Sequence, residues 1–470
     1  MSTATAAPPV SSRKGFESLE QETHVDALPL RGELPPWLQG SLLRTGPAKW
    51  EVDGRTMNHW FDGLAMLHRF SFAGGEVSYA NRFLESRAYR AARDEGRIAY
   101  SEFATDPCRS LFQRVTAMFS PQITDNANVN LTKLGERFIS MTEGPLPVEF
   151  DGETLATAGV AYETPGQLPT AHPQMDRATK GMLNYAAKLG PRTTYRFFSL
   201  RPDSSKPEVI ATKAVGEPAY IHSFGLTERW LVLAEIPFVV NPPRLALSGR
   251  PYIENYRWKA ELGTRFHLFD RATGKSVGPF ESEPRFAFHH VNSYEDGDEV
   301  VVDICTYPDA GIVEDLYLER LRAGKPIARA HLERFRISPE RGTVTAERLI
   351  EEPMDLPRIN YGRCNERPYR YAWGVGSRGR WLDCIVKADV AERTSSVWTE
   401  EGCFPGEPVF VPTPDADRED EGVLLSVVLD GKRGSSFLLV LDAGSLDELT
   451  RAEAPHHIPF GFHGQFARGQ

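Results

Sequence analysis

Twelve histidines occur in this 470-residue chain, and four of them stand in settings where an imidazole could do more than pack. They are His172 in AHPQM, His222 in YIHSFGLTERWLVL, His289 in FAFHHVNSYEDGDEVVVDI and His463 in HIPFGFHGQF. Each lies beside a strand-like run or a tight Pro/Gly turn. Imidazole nitrogen suits iron, copper, zinc and nickel, and four neutral ligands leave a divalent ion its full charge. Zinc hydrolases typically use three protein ligands and a water, so four histidines without a carboxylate point instead to an octahedral ion with two open positions. Taken one at a time, a histidine at a strand end is more often packed or hydrogen-bonded than metal-bound, so the residues alone leave both readings open. No Ser/His/Asp triad signature, P-loop or dinucleotide fingerprint stands in a supporting context.

Four histidines so far apart can meet only if the elements carrying them converge. Short β-type runs dominate the chain: RFISM (137–141), WLVLAEI (230–236), EVVVDIC (299–305), GVLLSVVLD (422–430) and SFLLVLD (436–442). Alternating runs stop repeatedly at or near Ser71, Asp151, Ser199, Asp270, Ser338, Asp389 and Asp442, each followed by turn residues. Seven such stops suit the seven blades of a β-propeller, whose inner strands face one axis; a pair of β-sandwiches is the alternative on this pattern. Helices are predicted over 176–190, capped by Asp176, and over 313–324, as part of a helical and loop cap above the sheets. Residues 1–20, rich in Ala, Ser, Thr and Pro, read as a flexible N-terminal arm, and 21–470 as a single propeller domain with cap insertions.

The composition excludes several classes. At 41% hydrophobic and 25% charged residues the chain can bury a large core, and a net charge of -10 argues against nucleic acid. Its five cysteines are scattered without CxxC spacing, as expected of reduced thiols in a cytoplasmic protein. No apolar run reaches the ~18 residues of a membrane span, and the N-terminus has no signal-peptide core.

Beyond the histidines, several blocks in order resemble the carotenoid cleavage oxygenase family: GSLLRTGPAKWEVDG from Gly40, HWFDGLAMLHRFSF (59–72), TDNANVN (124–130), FHHVNSYEDGDEVVVD (288–303), GEPVFVP (406–412), EDEGVLLSVVLDG (419–431) and PFGFHGQF near the C-terminus. The resemblance covers nearly the whole chain. It implies a seven-bladed, all-β propeller in which His172, His222, His289 and His463 hold a catalytic Fe(II). The family pattern Phe-His, two residues, Asn selects His289 over His290, which is left to packing or to a supporting place behind the ligands. By the same resemblance Glu143, Asp355 and Glu407 would back His222, His289 and His463, since a metal-bound His usually donates its second N–H to such a group. Relatives carry Glu where this chain has Asp355, so either the strand shifts inward or a water bridges.

The implied reaction is cleavage of a carbon–carbon double bond of a carotenoid or apocarotenoid by O2 to carbonyl products. Stilbenoid cleavage is the alternative, weakened because Thr142 stands where stilbenoid-cleaving relatives place a lysine; a non-oxidative retinoid isomerase reaction is another. A propeller serving as a binding platform would be non-enzymatic, and the four histidines and the carboxylates argue against it. An apolar polyene implies peripheral contact with a membrane surface. The candidate segments are 108–121, with Leu111, Phe112, Val115, Met118 and Phe119 flanked by Arg109 and Arg114, and 236–247.

Overall fold

The computed structural model describes residues 11–107 and 124–468. Seven antiparallel sheets of four or more strands are arranged as the blades of a β-propeller, numbered I to VII here, with two further two-stranded ribbons. Blade II, for example, runs outward from Asn130–Leu134 through Arg137–Met141 and Val148–Phe150 to Thr157–Val160. The ring closes with both chain ends. Gly464–Arg468 is the innermost strand of blade I and pairs with Gly40–Arg44, while Leu30–Gly32 adds an outer strand to blade VII against Thr450–Ala452. Opening the ring at either place breaks a ladder rather than a loop contact.

The seven strand stops share one position. In each blade the third strand from the axis ends at or beside the Asp or Ser, and the chain turns there into the outermost strand or the edge beside it. Where the residue is Asp the turn is fastened locally: Asp151 Oδ1 accepts from the Glu153 and Thr154 amides, Asp270 Oδ1 from Ala272 and Thr273, Asp389 Oδ1 from Ala391 and Glu392, and Asp442 Oδ1 from Gly444 and Ser445. A side chain that satisfies two amides of its own turn makes the repeat visible in the sequence.

Helices are short, and two expectations need correction. The segment 176–190 is not a helix. Asp176 does accept from Ala178 N and Thr179 Oγ, but it closes a turn, and Met182–Lys188 is a strand paired with Thr194–Leu200. Met182 through Ala187 are all buried, so an apolar run covered on both faces imitates helical content. The segment 313–324 holds two pieces, Gly311–Asp315 and Leu318–Arg322, broken at the extended Tyr317. The break is imposed from outside: Leu318 N donates to Asn58 O, and Trp60 N donates to Leu316 O, stitching the cap to a loop of blade I.

The longest α-helix among the described residues is Arg87–Glu95, outside the two segments expected to be helical. Ser86 caps it, Gly96 ends it at φ 61°, and Ala88, Ala91 and Ala92 face inward. From Ser11 on, the segment read as an arm is packed: Phe16 is fully buried and meets Trp60, Trp381 and Phe460 edge-on. Residues 1–10 lie outside the described residues. Four cysteines, Cys305, Cys364, Cys384 and Cys403, are buried and free.

Candidate metal centre

Four imidazoles drawn from four places in the ring meet on the axis. His172 lies between the two short inner strands of blade III, Leu168–Pro169 and Gln174–Met175. His222 precedes the inner strand of blade IV, His289 is within the inner strand of blade V, and His463 immediately precedes the closing strand of blade I. Their ligand nitrogens all fall within 4.8 Å of one another. His172 Nε2 is 3.0 Å from His222 Nε2, and His289 Nε2 is 3.2 Å from His463 Nε2, across 174 residues of sequence.

Hydrogen bonds at the other ring nitrogen fix what those Nε2 atoms can do. His222 Nδ1 is 2.6 Å from Glu143 Oε1, His289 Nδ1 is 2.7 Å from Asp355 Oδ1, and His463 Nδ1 is 2.6 Å from Glu407 Oε1. Burial would raise the carboxyl of Asp355, but His289, the Tyr307 hydroxyl and the Leu356 amide hold it below its ordinary value. Burial opposes ionisation of Glu407 as well, yet Arg358 and His463 hold it well below the usual carboxylate range. An ionised carboxylate only accepts, so at His289 and His463 Nδ1 carries the proton and Nε2 presents a lone pair. Burial favours the neutral ring in three of them: His222 is lowered, His463 falls to about 4, and His172, buried and crowded by the other three, is lowered well below its ordinary value.

Two lone pairs 3.2 Å apart repel each other unless a cation lies between them. Two nitrogens each ~2.1 Å from one ion and at a right angle would stand about 3.0 Å apart, so the observed spacings fit a shared metal.

The carboxylates reach the histidines by different routes. Glu143 follows the second strand of blade II and also accepts from Tyr220 Oη at 2.8 Å. Asp355 opens the inner strand of blade VI and contacts His289 directly, with no bridging water needed. Its shorter side chain is compensated by the backbone: the strand bulges between Asp355 and Arg358, and Leu356 adopts φ 48°, rare for a branched residue. The partner strand is irregular too, with register shifts between Ala287 and His290 and between His290 and Asn292, so bulges on both strands aim the pair. Tyr307 Oη donates to Asp355 Oδ2 at 2.6 Å. Glu407, only 1% exposed, also accepts from Gly464 N and pairs with Arg358, whose Nε is 2.8 Å from Oε1.

Tyr220, Tyr307 and Arg358 were not singled out in the sequence, because a lone Tyr or Arg carries no motif until its partner is known. His172 has no carboxylate partner among the described residues. His290 lies outside the cluster, its Nδ1 2.8 Å from Ser223 Oγ. Thr142 lies beside Glu143.

A cavity opens onto His222, His289 and His463. Its other walls are mainly apolar, with Trp60, Phe61, Phe288, Leu316, Trp381 and Phe462 prominent. The cap contributes Ile312 and Leu316, so the helix pieces broken by the blade I loop roof the site. Of the two segments expected at a membrane, 108–121 lies outside the described residues. In the other, Ile236–Val240 is core rather than surface: all five residues are buried, and Phe238–Val239 pairs with Arg257–Trp258. Only the short helix Pro242–Leu247 reaches the surface, with Leu247 70% exposed. Among the described residues no helix is long and apolar enough to cross a membrane.

Comparison with known proteins agrees with this geometry. The family model described as retinal pigment epithelial membrane protein matches residues 16–468. The chain is 35% identical to the mitochondrial carotenoid-cleaving dioxygenase of Macaca fascicularis, covering 93% of this chain and 90% of that protein. It is 34% identical to the beta,beta-carotene 15,15'-dioxygenase of Mus musculus (93% and 88%) and to the carotenoid isomerooxygenase of Galleria mellonella (93% and 92%). A solved structure of the Synechocystis apocarotenoid oxygenase superposes with a TM-score of 0.86 at 25% identity, over 98% of this chain and all of that one. On a match that runs through every blade, the chain belongs to the carotenoid cleavage oxygenase family, the family of the retinal pigment epithelial membrane protein.

Proposed function

We propose that this protein is an iron(II)-dependent dioxygenase that splits one carbon–carbon double bond of a carotenoid or apocarotenoid into two carbonyl groups, each taking one atom of O2. The observation that carries this reading is the union of four converging imidazoles with an apolar, aromatic cavity at one point of the fold. His172, His222, His289 and His463 would hold the metal, and Glu143, Asp355 and Glu407 would fix the tautomer and orientation of three of them. When bound, the ferrous ion would supply dioxygen activation, the step no side chain can perform.

The protein's own contribution is to position and to exclude. The aromatic walls would hold an extended polyene against the faces of His222, His289 and His463. Among the cavity's polar side chains, Asp355 and Tyr307 are tied to each other and to His289, so the site offers little acid–base machinery. That suits a reaction that moves no proton to or from the substrate. Substrate would arrive from a membrane surface, touched peripherally by Leu247 and by segment 108–121. Leu247→Ser is expected to weaken liposome binding without lowering the melting midpoint; unchanged binding removes this helix from the interface.

The test is the purified protein reconstituted anaerobically with ferrous iron and offered β-carotene, an apocarotenal or a stilbenoid under 18O2. Two carbonyl products from a polyene, each carrying one labelled oxygen, are expected. Cleavage of the stilbenoid alone, or isomerisation without incorporation of label, would overturn the reading.

A further inference from the structure

A second small cavity lies between blades I and VII, lined by Gly406 next to Glu407. It is lined by Arg44 and His68, each 5% exposed, and by three glycines, Gly46, Gly406 and Gly461. The guanidinium of Arg44 is poorly served there. Its contacts are two long hydrogen bonds to backbone carbonyls, Nη1 to Glu407 O at 3.4 Å and Nη2 to Phe462 O at 3.3 Å. Among the described residues no carboxylate forms an ion pair with it. Glu407, the nearest acid to act on it, is already paired with Arg358 and bonded to His463. Two guanidinium groups therefore face one carboxylate, and the more buried of the two has no counter-charge, an arrangement that is costly unless something compensates.

The surroundings leave space for that compensation. A Cβ on Gly406 or Gly461 would stand 3.5 or 3.8 Å from Arg44 Nη2, so the two glycines keep the approach to the guanidinium clear. His68 Nδ1 is 2.9 Å from Tyr79 Oη. If the tyrosine hydroxyl donates in that bond, the ring proton sits on Nε2, for which no protein partner is found among the described residues. The free volume admits roughly one water-sized group, enough for a monatomic ion and too little for a carboxylate metabolite or a phosphate.

We infer that this cavity is a halide site, in which a chloride ion is held by Arg44 and His68. The ion would neutralise Arg44 and steady the two backbone carbonyls that Arg44 touches, those of Glu407, which bonds His463, and of Phe462, which precedes His463. This site is distinct from the metal centre, and its test does not depend on the proposed reaction. Crystals of the holoprotein soaked in sodium bromide are expected to show a bromine anomalous peak within hydrogen-bonding reach of Arg44. In solution the melting midpoint is expected to rise and saturate with chloride or bromide, but not with gluconate at equal ionic strength. Arg44→Gln should abolish that response; if this variant does not fold, His68→Leu should weaken it. Density in the cavity without an anomalous signal would identify a water and overturn the inference. So would equal midpoints in halide and gluconate, or an undiminished halide response in both variants.

Discussion

The His222 and His289 arms end on carboxylates held by tyrosine hydroxyls, Tyr220 on Glu143 and Tyr307 on Asp355, whereas the His463 arm ends on a carboxylate held by Arg358. A phenol hydrogen bond leaves the carboxylate its negative charge, which is passed on to the imidazole as added basicity. A guanidinium neutralises much of that charge, though Arg358 is 30% exposed and solvent screens part of the effect. His463 is therefore expected to be the weakest donor of the three backed histidines, held by geometry more than by charge. Similar Nδ1-to-carboxylate distances, 2.6 to 2.7 Å, conceal this difference.

Substitutions can break or sharpen the contrast. If the proposed function holds, the largest effect comes from removing one of the four converging imidazoles: His289→Ala and His463→Ala should both fail to retain iron, read as metal content after reconstitution and desalting. Full iron content in either variant would remove that residue from the ligand set. Next comes Glu407→Gln, which should lower iron affinity by roughly 10 to 100-fold. It should also cost stability, by less than the ~3–5 kcal/mol of a fully buried pair, because Arg358 is partly solvated. Affinity like that of the unmodified protein would mean that the backbone alone holds His463.

Arg358→Met discriminates most sharply. Freeing Glu407 of its counter-charge should strengthen His463 as a donor, lowering the Fe(III)/Fe(II) potential, the opposite sign to Glu407→Gln. Potentiometry showing the same sign for both would break the electrostatic account. The smallest effects belong to Tyr220→Phe and Tyr307→Phe, each removing the phenol's hydrogen bond to a carboxylate, worth about 0.5–1.5 kcal/mol. Equal losses in the two are expected from equal chemistry. A much larger loss at Tyr307, measured by denaturant unfolding of the metal-free protein, would show that this hydroxyl also holds the strained backbone at Leu356.

Much of the architecture was legible because its signals are local. A strand covered on one face alternates within a few residues, and Asp151, Asp270, Asp389 and Asp442 bond amides two and three residues ahead, so the blade repeat is written in short segments. The same locality misled at 176–190. A strand buried on both faces carries no alternation, and an Asp that fastens a turn resembles an Asp that caps a helix. The four histidines could be named from their motifs, but Tyr220, Tyr307 and Arg358 could not, since each matters only through an acid brought to it from another part of the ring.

The sequence by itself determined the strand runs, the turn residues that separate the blades, and which histidines and acids were available for a site. Only the tertiary structure decided that Asp355 reaches His289 by a bulge, that the cap splits at Tyr317, that Ile236–Val240 is core, and that Arg358 and not a tyrosine stands behind Glu407. The physical reason is one of range. Alternation and side-chain-to-backbone turns are satisfied among near neighbours, whereas imidazoles 174 residues apart come within 3.2 Å only after the ends of the chain have paired and closed the ring.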